Sequence, residues 1–305
     1  MPIWSVPKVY FLSKYKHGIK NTYRENIPFS EKVIKDIGFQ LLEVLNFVLN
    51  GFKRKTLLVY PDFPSSKTVI RKICRVLNIN LTNKIGRNFN WVLYYEDETF
   101  RSKFQPLEVL EKYTIVNLHS RNISKVYVEQ IHQDVFGYNT VIDPLTYTGK
   151  GVKKSNINAK HDGQVIEFPV ADKEDGFVYQ KLINNQVNEE EVLDMRVPII
   201  NSGIPLLYLK HRKVTERFKN TTTRTELAEL GEHLSDAEQE QVLDFAGKMK
   251  LEFGELDILR DLDNKRIYIV DVNNTPFGPP ANISNKQGEA AINMLANAFK
   301  KAFLA

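Results

Sequence analysis

Residues 254–276 constrain this chain more than any other stretch, because they predict two β-strands joined by a polar turn. Asp257 lies near the start of the first strand, and Asp271 and Asn273 lie at the end of the second. Residues two apart in a strand share a face, so a hairpin brings Asp257 alongside the other two. Hard oxygen ligands at one point suit Mg²⁺, which at such sites usually also holds nucleotide phosphates. The stretch therefore indicates a nucleotide enzyme.

The bulk composition is that of a globular protein with a sizeable core. The chain has 305 residues, 42% of them hydrophobic, and this length predicts two or three subdomains. The single cysteine, Cys74, excludes an intramolecular disulfide and is expected to be buried and inert. No apolar run reaches the ~20 residues that span a bilayer, and the N-terminus lacks a signal-peptide layout. We expect a cytoplasmic protein without a transmembrane segment.

The net charge of +5 is unevenly distributed. Residues 1–100 carry 16 Lys and Arg against 8 Asp and Glu, whereas the remainder carries a small acidic excess. One interpretation is an N-terminal part that meets an anionic partner, such as a phosphorylated small molecule; the other is a basic but inert surface. No aromatic–basic signature accompanies the charges, so nucleic acid is not expected.

The first half of the chain predicts a small α/β layer. Residues 1–30 predict an irregular basic arm, and residues 31–50 a helix. The strand and helix patterns that follow alternate, which is typical of a parallel sheet. The predicted strands are 56–60, 91–95 and 113–117, and the predicted helices are 65–76, begun by a Ser65 or Ser66 cap, and 124–135.

After about residue 138 the pattern changes to that of an antiparallel sheet. The predicted strands are 140–142, 152–157, 164–168, 176–181, 192–200 and 205–209. Ser235 and Glu238 then match a capping box, whose side chains satisfy the free backbone donors of a helix start. That helix is predicted to run to about residue 251, and a last helix covers about 285–304.

Two basic stretches upstream of the hairpin suit phosphate. Lys154 on a strand precedes a turn that carries Lys160 and Gly163. Lysine is a compact charge for phosphate oxygens, and a glycine turn lets backbone N–H groups approach them closely. Residues 210–220 form a second basic stretch, and arginine clamps suit phosphoryl chemistry. An ordinary basic hairpin and a solvated basic edge are the alternatives.

Two further segments between these stretches are compatible with a ligand site. Residues 177–183 form an apolar strand that turns polar at its end, which can hold a flat heterocycle by backbone bonds. Asp194 and Arg196 lie on one strand face. Several other chemistries are excluded, because the six histidines lack zinc spacing, and no Gly-x-Ser-x-Gly elbow or Gly-x-x-x-x-Gly-Lys phosphate loop is present.

The order of these signals resembles the ATP-grasp superfamily over about residues 117–300. A strand lysine, a glycine turn, a hinge-like strand end, Asp-x-Arg, a basic strand and Asp-x-Asn-x-x-Pro follow one another. The closing residues Asp271, Asn273 and Pro276 look like the family's Glu-x-Asn with a proline shortly after, except that Asp271 stands where the family usually has Glu. The shorter side chain puts bidentate binding of two metal ions in question.

The resemblance implies a role for each matching residue. The catalytic residues, beside the transferred phosphoryl group or acceptor, would be Arg196, Arg217 and Asn220. The nucleotide would contact Lys154, Lys160, His161, Gly163, Gln180, Lys181, Leu182 and Asp194. One or two Mg²⁺ ions, with Mn²⁺ as an alternative, would be held by Asp257, Asp271 and Asn273.

The resemblance also implies an α+β fold in which two lobes clasp ATP. Residues 1–115 would form a small α/β pre-grasp domain on the acceptor side. Residues 116–305 would form the ATP-grasp domain, with 138–185 as its smaller lobe and 186–305 as its larger lobe. Relatives are commonly dimers, so a homodimer stays open.

Three functions remain in competition. The first is a ligase in which ATP phosphorylates a carboxylate and an amine displaces the phosphate. The second is a kinase of the same fold that phosphorylates a hydroxyl of a sugar or polyol. The third is a non-catalytic binding module, against which the full set of lysines and metal ligands argues.

Overall fold

A computed structural model describes residues 54–219 and 221–304, together with six helical positions between residues 37 and 48. The predicted arm over residues 1–30 and most of the predicted helix over 31–50 lie outside the described residues. The six described positions of that helix are all helical: Ile37, Gly38, Leu41, Val44, Leu45 and Val48.

The first layer is a four-stranded parallel sheet in the order β2-β1-β3-β4, as the alternating pattern predicts. Its elements are β1 (Thr56–Pro61), α1 (Val69–Val76), β2 (Asn80–Thr82), β3 (Trp91–Tyr95), α2 (Gln105–Glu108) and β4 (Ile115–Val116). The predicted serine cap of α1 is wrong: Thr68 is the N-cap residue, and no side chain caps the helix. The Ser65 carbonyl instead accepts the Thr68 hydroxyl at 2.8 Å, so the serines form a turn before the helix.

Helix α3 (Lys125–Phe136) links this layer to the rest of the molecule and begins and ends on local signals. The Ser124 hydroxyl accepts a hydrogen bond from the Tyr127 backbone, which satisfies one of the free donors at the helix start. Gly137 ends the helix with a φ of 77°, a left-handed conformation that glycine adopts without a Cβ clash.

A small antiparallel sheet follows, in the order β6-β5-β7. Its strands are β5 (Gly149–Ser155), β6 (Gln164–Phe168) and β7 (Phe177–Lys181). The predicted strand over 140–142 is wrong, because only Val141 forms an isolated bridge, to Gln180. Thr140 is instead bound through its backbone N–H and hydroxyl to Glu129 of α3, which turns the chain away from regular pairing.

The large sheet is five-stranded and antiparallel, in the order β10-β9-β8-β11-β12. Its strands are β8 (Glu191–Ile200), β9 (Leu207–Lys213), β10 (Arg224–Ala228), β11 (Phe253–Arg260) and β12 (Ile267–Asn273). The capping box of Ser235 and Glu238 forms as predicted. The associated helices are α4 (Leu230–His233), α5 (Asp236–Lys248) and α6 (Asn285–Phe299), with a 3₁₀ turn at Val214–Glu216 and a π turn at Lys300–Leu304.

Two apolar cores hold these layers together. The first packs α3 and α5 against one face of the large sheet, where Leu256 and Ile258 of β11 are fully buried. The second joins the first layer to the other side, so that Leu57 of β1, Phe253 of β11 and Phe299 of α6 belong to one cluster. The first layer therefore shares a core with the large sheet.

Asn117 and Arg101 add buried hydrogen bonds between the first layer and the large sheet. The Asn117 side chain accepts backbone N–H groups of Glu252 and Phe253 at 2.8 and 2.9 Å, and donates to the Phe253 carbonyl at 2.6 Å. Arg101 is buried and donates at 3.2 Å to the Asn274 carbonyl, just beyond β12. Buried polar groups satisfied in this way fix the relative position of the segments they join.

Two further sequence expectations concern burial and membranes. Cys74 is buried and free, and burial raises the pKa of its thiol to about 12, as expected of an inert cysteine. Within residues 54–219 and 221–304, no helix has both the length and the apolar character needed to cross a bilayer.

His132 of α3 makes stability depend on pH. Its ring is 1% exposed and stacks 4.2 Å from Phe136, and burial lowers its pKa from 6.5 to about 4. The unfolded chain thus takes up a proton between these pH values while the folded chain does not, so stability present above pH 6.5 is lost as pH falls. The loss is up to about 3 kcal/mol.

Thermal unfolding of the wild type and His132→Phe from pH 7.5 to 4.5 measures this effect. We expect the wild-type midpoint to fall more steeply than that of His132→Phe, which keeps an aromatic ring but cannot titrate. Parallel curves would contradict the assignment.

Candidate functional site

The small and large sheets enclose a cavity of about 460 Å³ into which most of the predicted site residues project. Lys154, at the end of β5, donates to the Val270 carbonyl at 3.3 Å. Burial, with Lys125 nearby, lowers the pKa of its ammonium to about 8. Among the described residues, this ammonium therefore donates a hydrogen bond to one backbone carbonyl and to no other group.

The β5–β6 turn forms one rim of the cavity. Ala159 and His161 have φ values of 58° and 52°, a left-handed backbone that makes the turn tight. Lys160 and His161 are exposed, and Gly163 packs so closely on Phe218 that a Cβ would lie 2.7 Å from its ring. Glycine is required there to let the turn approach the large sheet.

The end of β7 lines the opposite part of the cavity. The side-chain amide of Gln180 donates a hydrogen bond to the carboxylate of Glu129 on α3 and is therefore already bound within the protein. The Lys181 ammonium donates to the Tyr268 hydroxyl at 2.7 Å. Leu182 and Ile183 follow, and with Val152 they give this region apolar walls. A flat ring can be held here by backbone groups between apolar side chains.

The basic residues of β8 and β9 enter the cavity from the large sheet. Asp194 is buried and pairs with Arg212, whose Nε lies 3.3 Å from the carboxylate. Arg217 donates to the Asn185 side chain at 2.7 Å and also lines the cavity. The predicted partner of Arg217, Asn220, lies outside the described residues.

Arg196 and Asp257 form a two-point ion pair in which each side chain is 18% exposed. Arg196 Nε and Nη2 donate to the Asp257 carboxylate oxygens at 2.8 and 3.0 Å, and Lys210 Nζ lies 3.6 Å away. Burial pushes the pKa of Asp257 upward, but Arg196 and Lys210 outweigh it and hold that pKa well below its usual range. Asp257 therefore stays ionised with both oxygens already accepting hydrogen bonds.

The hairpin register places the other predicted metal ligands beside this pair. Asp257 lies opposite Asp271, and Glu255 lies opposite Asn273. The Asp271 carboxylate contacts the ammonium of Lys125, so a cation already occupies this position. Asn273 Oδ1 accepts the Thr275 backbone N–H at 2.9 Å. Asp257, Asp271 and Asn273 thus offer hard oxygen ligands beside a position that already holds the positive charge of Lys125. Such ligands suit Mg²⁺.

No group of three or more His, Cys, Asp or Glu side chains in the described ranges is arranged to hold a metal ion. A metal site on Asp257, Asp271 and Asn273 therefore depends on the asparagine oxygen and on oxygens from a bound ligand. Mg²⁺ is commonly held in this way, by one or two carboxylates together with substrate phosphates. The residues fit a metal that arrives with a nucleotide.

Sequence reasoning missed Lys125, which is 7% exposed and also donates to Asn158 at 2.7 Å. One signal was available: a lysine at the first position of a helix faces the positive end of the helix dipole, where a cation is unfavourable. It also missed Arg212 and Glu255 as individual site residues. Arg212 lay within the basic stretch, whereas the burial of Glu255 could not be read from the sequence.

Glu255 is the least expected group in the cavity. Its side chain is 2% exposed, and burial raises the pKa of its carboxyl group to about 7. Arg196 Nη1 lies 3.5 Å from one of its oxygens. The cavity thus contains a second carboxylate on the same strand face as Asp257, two residues away.

Comparisons with solved structures show the fold. D-alanine–D-alanine ligase from Bacillus anthracis matches with a TM-score of 0.54 and 14% identity, covering 82% of this chain and 96% of that chain. The same enzyme in complex with ATP matches with a TM-score of 0.53, 15% identity and 83% and 98% coverage. The ATP-grasp ligase PsnB, complexed with a phosphomimetic variant of its minimal precursor, Mg and ADP, matches at 0.50, with 14% identity and 82% and 99% coverage. No protein-family model and no curated protein sequence matches.

The ion pair of Arg196 and Asp257 generates a prediction about stability. Asp257→Asn removes the counter-charge of the partly buried Arg196 and of the buried Lys210, so we expect the free energy of unfolding to fall by about 3 kcal/mol, the lower end of the range for a fully buried pair. Asp271→Asn, on the more exposed partner strand, should cost about 1 kcal/mol or less because Lys125 keeps an amide oxygen. Urea unfolding of both variants measures the difference. Equal losses would show that Asp257 is not the centre of the network.

Proposed function

We propose that this chain, which has the ATP-grasp fold, is a Mg-ATP-dependent ligase that joins a carboxylate to an amine. One observation carries the proposal: lysines and arginines from both sheets converge on the same cavity as the oxygens of Asp257, Asp271 and Asn273. The cationic side chains suit the oxygens of a polyphosphate, and the side-chain oxygens suit the metal ion that accompanies it. The similar structures that contain ATP, or Mg and ADP, support this proposal because they share the fold of this chain.

The nucleotide would lie across the cavity from β7 to β12. Its base would pack between the apolar walls that include Val152 and Leu259, with the strand end at Gln180–Ile183 supplying backbone groups. Its phosphates would meet Lys154 and Lys125, with the 159–163 turn above them. Mg²⁺ would be held by Asp257, Asp271 and Asn273, and would neutralise charge on the phosphate oxygens.

The chain's own contribution would be positioning and electrostatics. An acceptor carboxylate oxygen attacks the γ-phosphorus, and ADP departs as the P–O bond breaks. The amine nitrogen then attacks the acyl carbon, and phosphate departs. Arg196 is held by Asp257 in one orientation, so its charge is preorganised beside the reacting groups. Arg212 and Arg217 would stabilise negative charge that develops on the transferred group.

The kinase alternative uses the same nucleotide site and differs only in the acceptor. Product analysis separates the two, because a ligase releases free phosphate and forms an amide, whereas a kinase leaves the phosphate on the acceptor hydroxyl. A protein that binds Mg-ATP yet releases no ADP with any acceptor would be a binding module.

Lys154 and Asp271 test the nucleotide site directly. We expect Lys154→Ala to raise the dissociation constant of Mg-ATP roughly ten-fold or more, because a buried charge-assisted contact is lost. Asp271→Asn should abolish Mg-ATP turnover while the thermal midpoint changes little, because the substitution keeps the shape of the side chain. Calorimetric titration and an ADP-release assay supply the measurements.

The matched controls are Lys150→Ala, an exposed lysine of the same strand β5, and Asp244→Ala, a carboxylate exposed on α5. Both should behave as the wild type. Unaltered Mg-ATP binding by Lys154→Ala would remove this residue from the phosphate site, and unaltered turnover by Asp271→Asn would remove the metal assignment.

A further inference from the structure

Glu255 is a buried carboxylate that faces the cavity and has unused hydrogen-bonding capacity. It lies on β11 on the same face as Asp257 and borders the cavity. Among the described residues, no group donates a hydrogen bond to either of its oxygens, although the side chain is only 2% exposed. An ionised carboxylate offers about four lone-pair positions, so the arrangement leaves it able to accept several donors.

Three cations act on Glu255, and each is engaged elsewhere; Lys210 Nζ lies 3.6 Å from Asp257. Arg196 Nη1 lies 3.5 Å from Glu255, but its Nε and Nη2 are bound to Asp257. Lys72 of α1 is close enough to influence Glu255, but its ammonium donates to the Gly278 carbonyl. A buried carboxylate normally requires several hydrogen bonds to offset the loss of hydration. The carboxylate of Glu255 balances part of the positive charge of these cations, yet its oxygens accept no hydrogen bond from the described residues.

A further carboxylate borders the cavity near Glu255. The lysines and arginines that line the cavity come from α3, β5 and the turn after it, β7, β8, β9 and the segment after β9, whereas the loop after β12 leads to an acid. Asn273 pairs with Glu255, and Thr275, two residues on, donates to Asp97 at 2.7 Å. Asp97 also borders the cavity. Glu255 and Asp97 are therefore linked through Asn273 and Thr275 along one part of the cavity lining.

The residue spacing along β11 gives the distance between Glu255 and Asp257. Residues two apart in a strand lie roughly 7 Å from one another, so Glu255 is about that far from the Asp257 end of the site. This separation is suitable for a group belonging to the acceptor, beyond the terminal phosphate of a nucleotide. Neither oxygen of Glu255 accepts a hydrogen bond from the described residues, so a group that donates hydrogen bonds there would satisfy them.

We propose that Glu255 and Asp97 form an acceptor subsite that binds a cationic amino group. The inference rests on the proposed function, because it places this group beside a bound nucleotide. An ammonium supplies three donors, which the unused acceptor positions of Glu255 can take as charge-assisted hydrogen bonds. The basic excess of residues 1–100 suggested an anionic acceptor; the acids that border the cavity favour a cationic one.

The decisive variant is Glu255→Gln, which keeps the shape and removes the charge. Its control is Glu289→Gln, an exposed glutamate of α6 with the same change of charge. Each protein is first titrated with Mg-ATP. ADP release and thermal midpoints are then measured with Mg-ATP and matched probes: glucosamine, N-acetylglucosamine and glucose, and the common amino acids with their N-acetyl forms.

We expect Glu255→Gln to bind Mg-ATP as the wild type does and to unfold at the same or a higher temperature, because the charge of a buried carboxylate that accepts no hydrogen bond is removed. Probes with a free amino group should raise ADP release or the midpoint of the wild type, and their neutral partners should not. In Glu255→Gln the KM for such a probe should rise roughly ten-fold or more, with a smaller change in kcat.

The outcomes separate the two proposals. Normal Mg-ATP binding with no response to any amino probe, or a response that Glu255→Gln leaves unchanged, overturns the acceptor subsite alone. A response confined to neutral polyols does the same and favours the kinase alternative. Failure of the wild type to bind Mg-ATP overturns the proposed function. A lowered thermal midpoint of Glu255→Gln, with unchanged KM, would assign Glu255 a structural role.

Discussion

The two-point ion pair of Arg196 and Asp257 is the constraint on which the cavity depends. It bridges β8 and β11 at the middle of the large sheet, and Lys210 of β9 adds a third charge at 3.6 Å. Charges buried side by side must be balanced, because the protein interior screens them poorly. The carboxylate of Asp257 balances part of the positive charge of Arg196 and Lys210 at the base of the cavity. Lys125, Lys154 and Arg217 are engaged less completely and can contribute positive charge to a ligand.

The sequence predicts best those features that depend on neighbours in the chain. The capping box of Ser235 and Glu238, the Ser124 cap and the hairpin that ends at Asn273 all follow from short spacings. Alternation along β11 also predicts which side chains share a face, because the side-chain period of a strand is fixed at two. These regularities recover three of the four strands of the parallel first layer and four of the five strands of the large sheet, whereas β2 and β10 were not predicted.

What the sequence could not supply depends on residues far apart in the chain. Asn117 has no distinctive local pattern, yet it binds the backbone of Glu252 and Phe253. Glu255 looks like an ordinary strand glutamate until Lys72 and Arg196 are seen beside it. Strand β10 was missed because its residues, Arg-Thr-Glu-Leu-Ala, have a weak strand preference and pair only because β9 offers its edge.

The two sides of the cavity are anchored very differently. The first layer and the large sheet share one apolar core, and Asn117 and Arg101 join them by buried hydrogen bonds. None of the apolar residues of β5, β6 and β7 belongs to the described clusters of that core. Glu255 therefore lies on a strand that is part of this core, whereas Lys154 lies on a sheet that meets the rest of the molecule through contacts such as those of Gln180 with Glu129 and of Lys181 with Tyr268. A change in the width of the cleft would therefore shift Lys154 relative to Glu255.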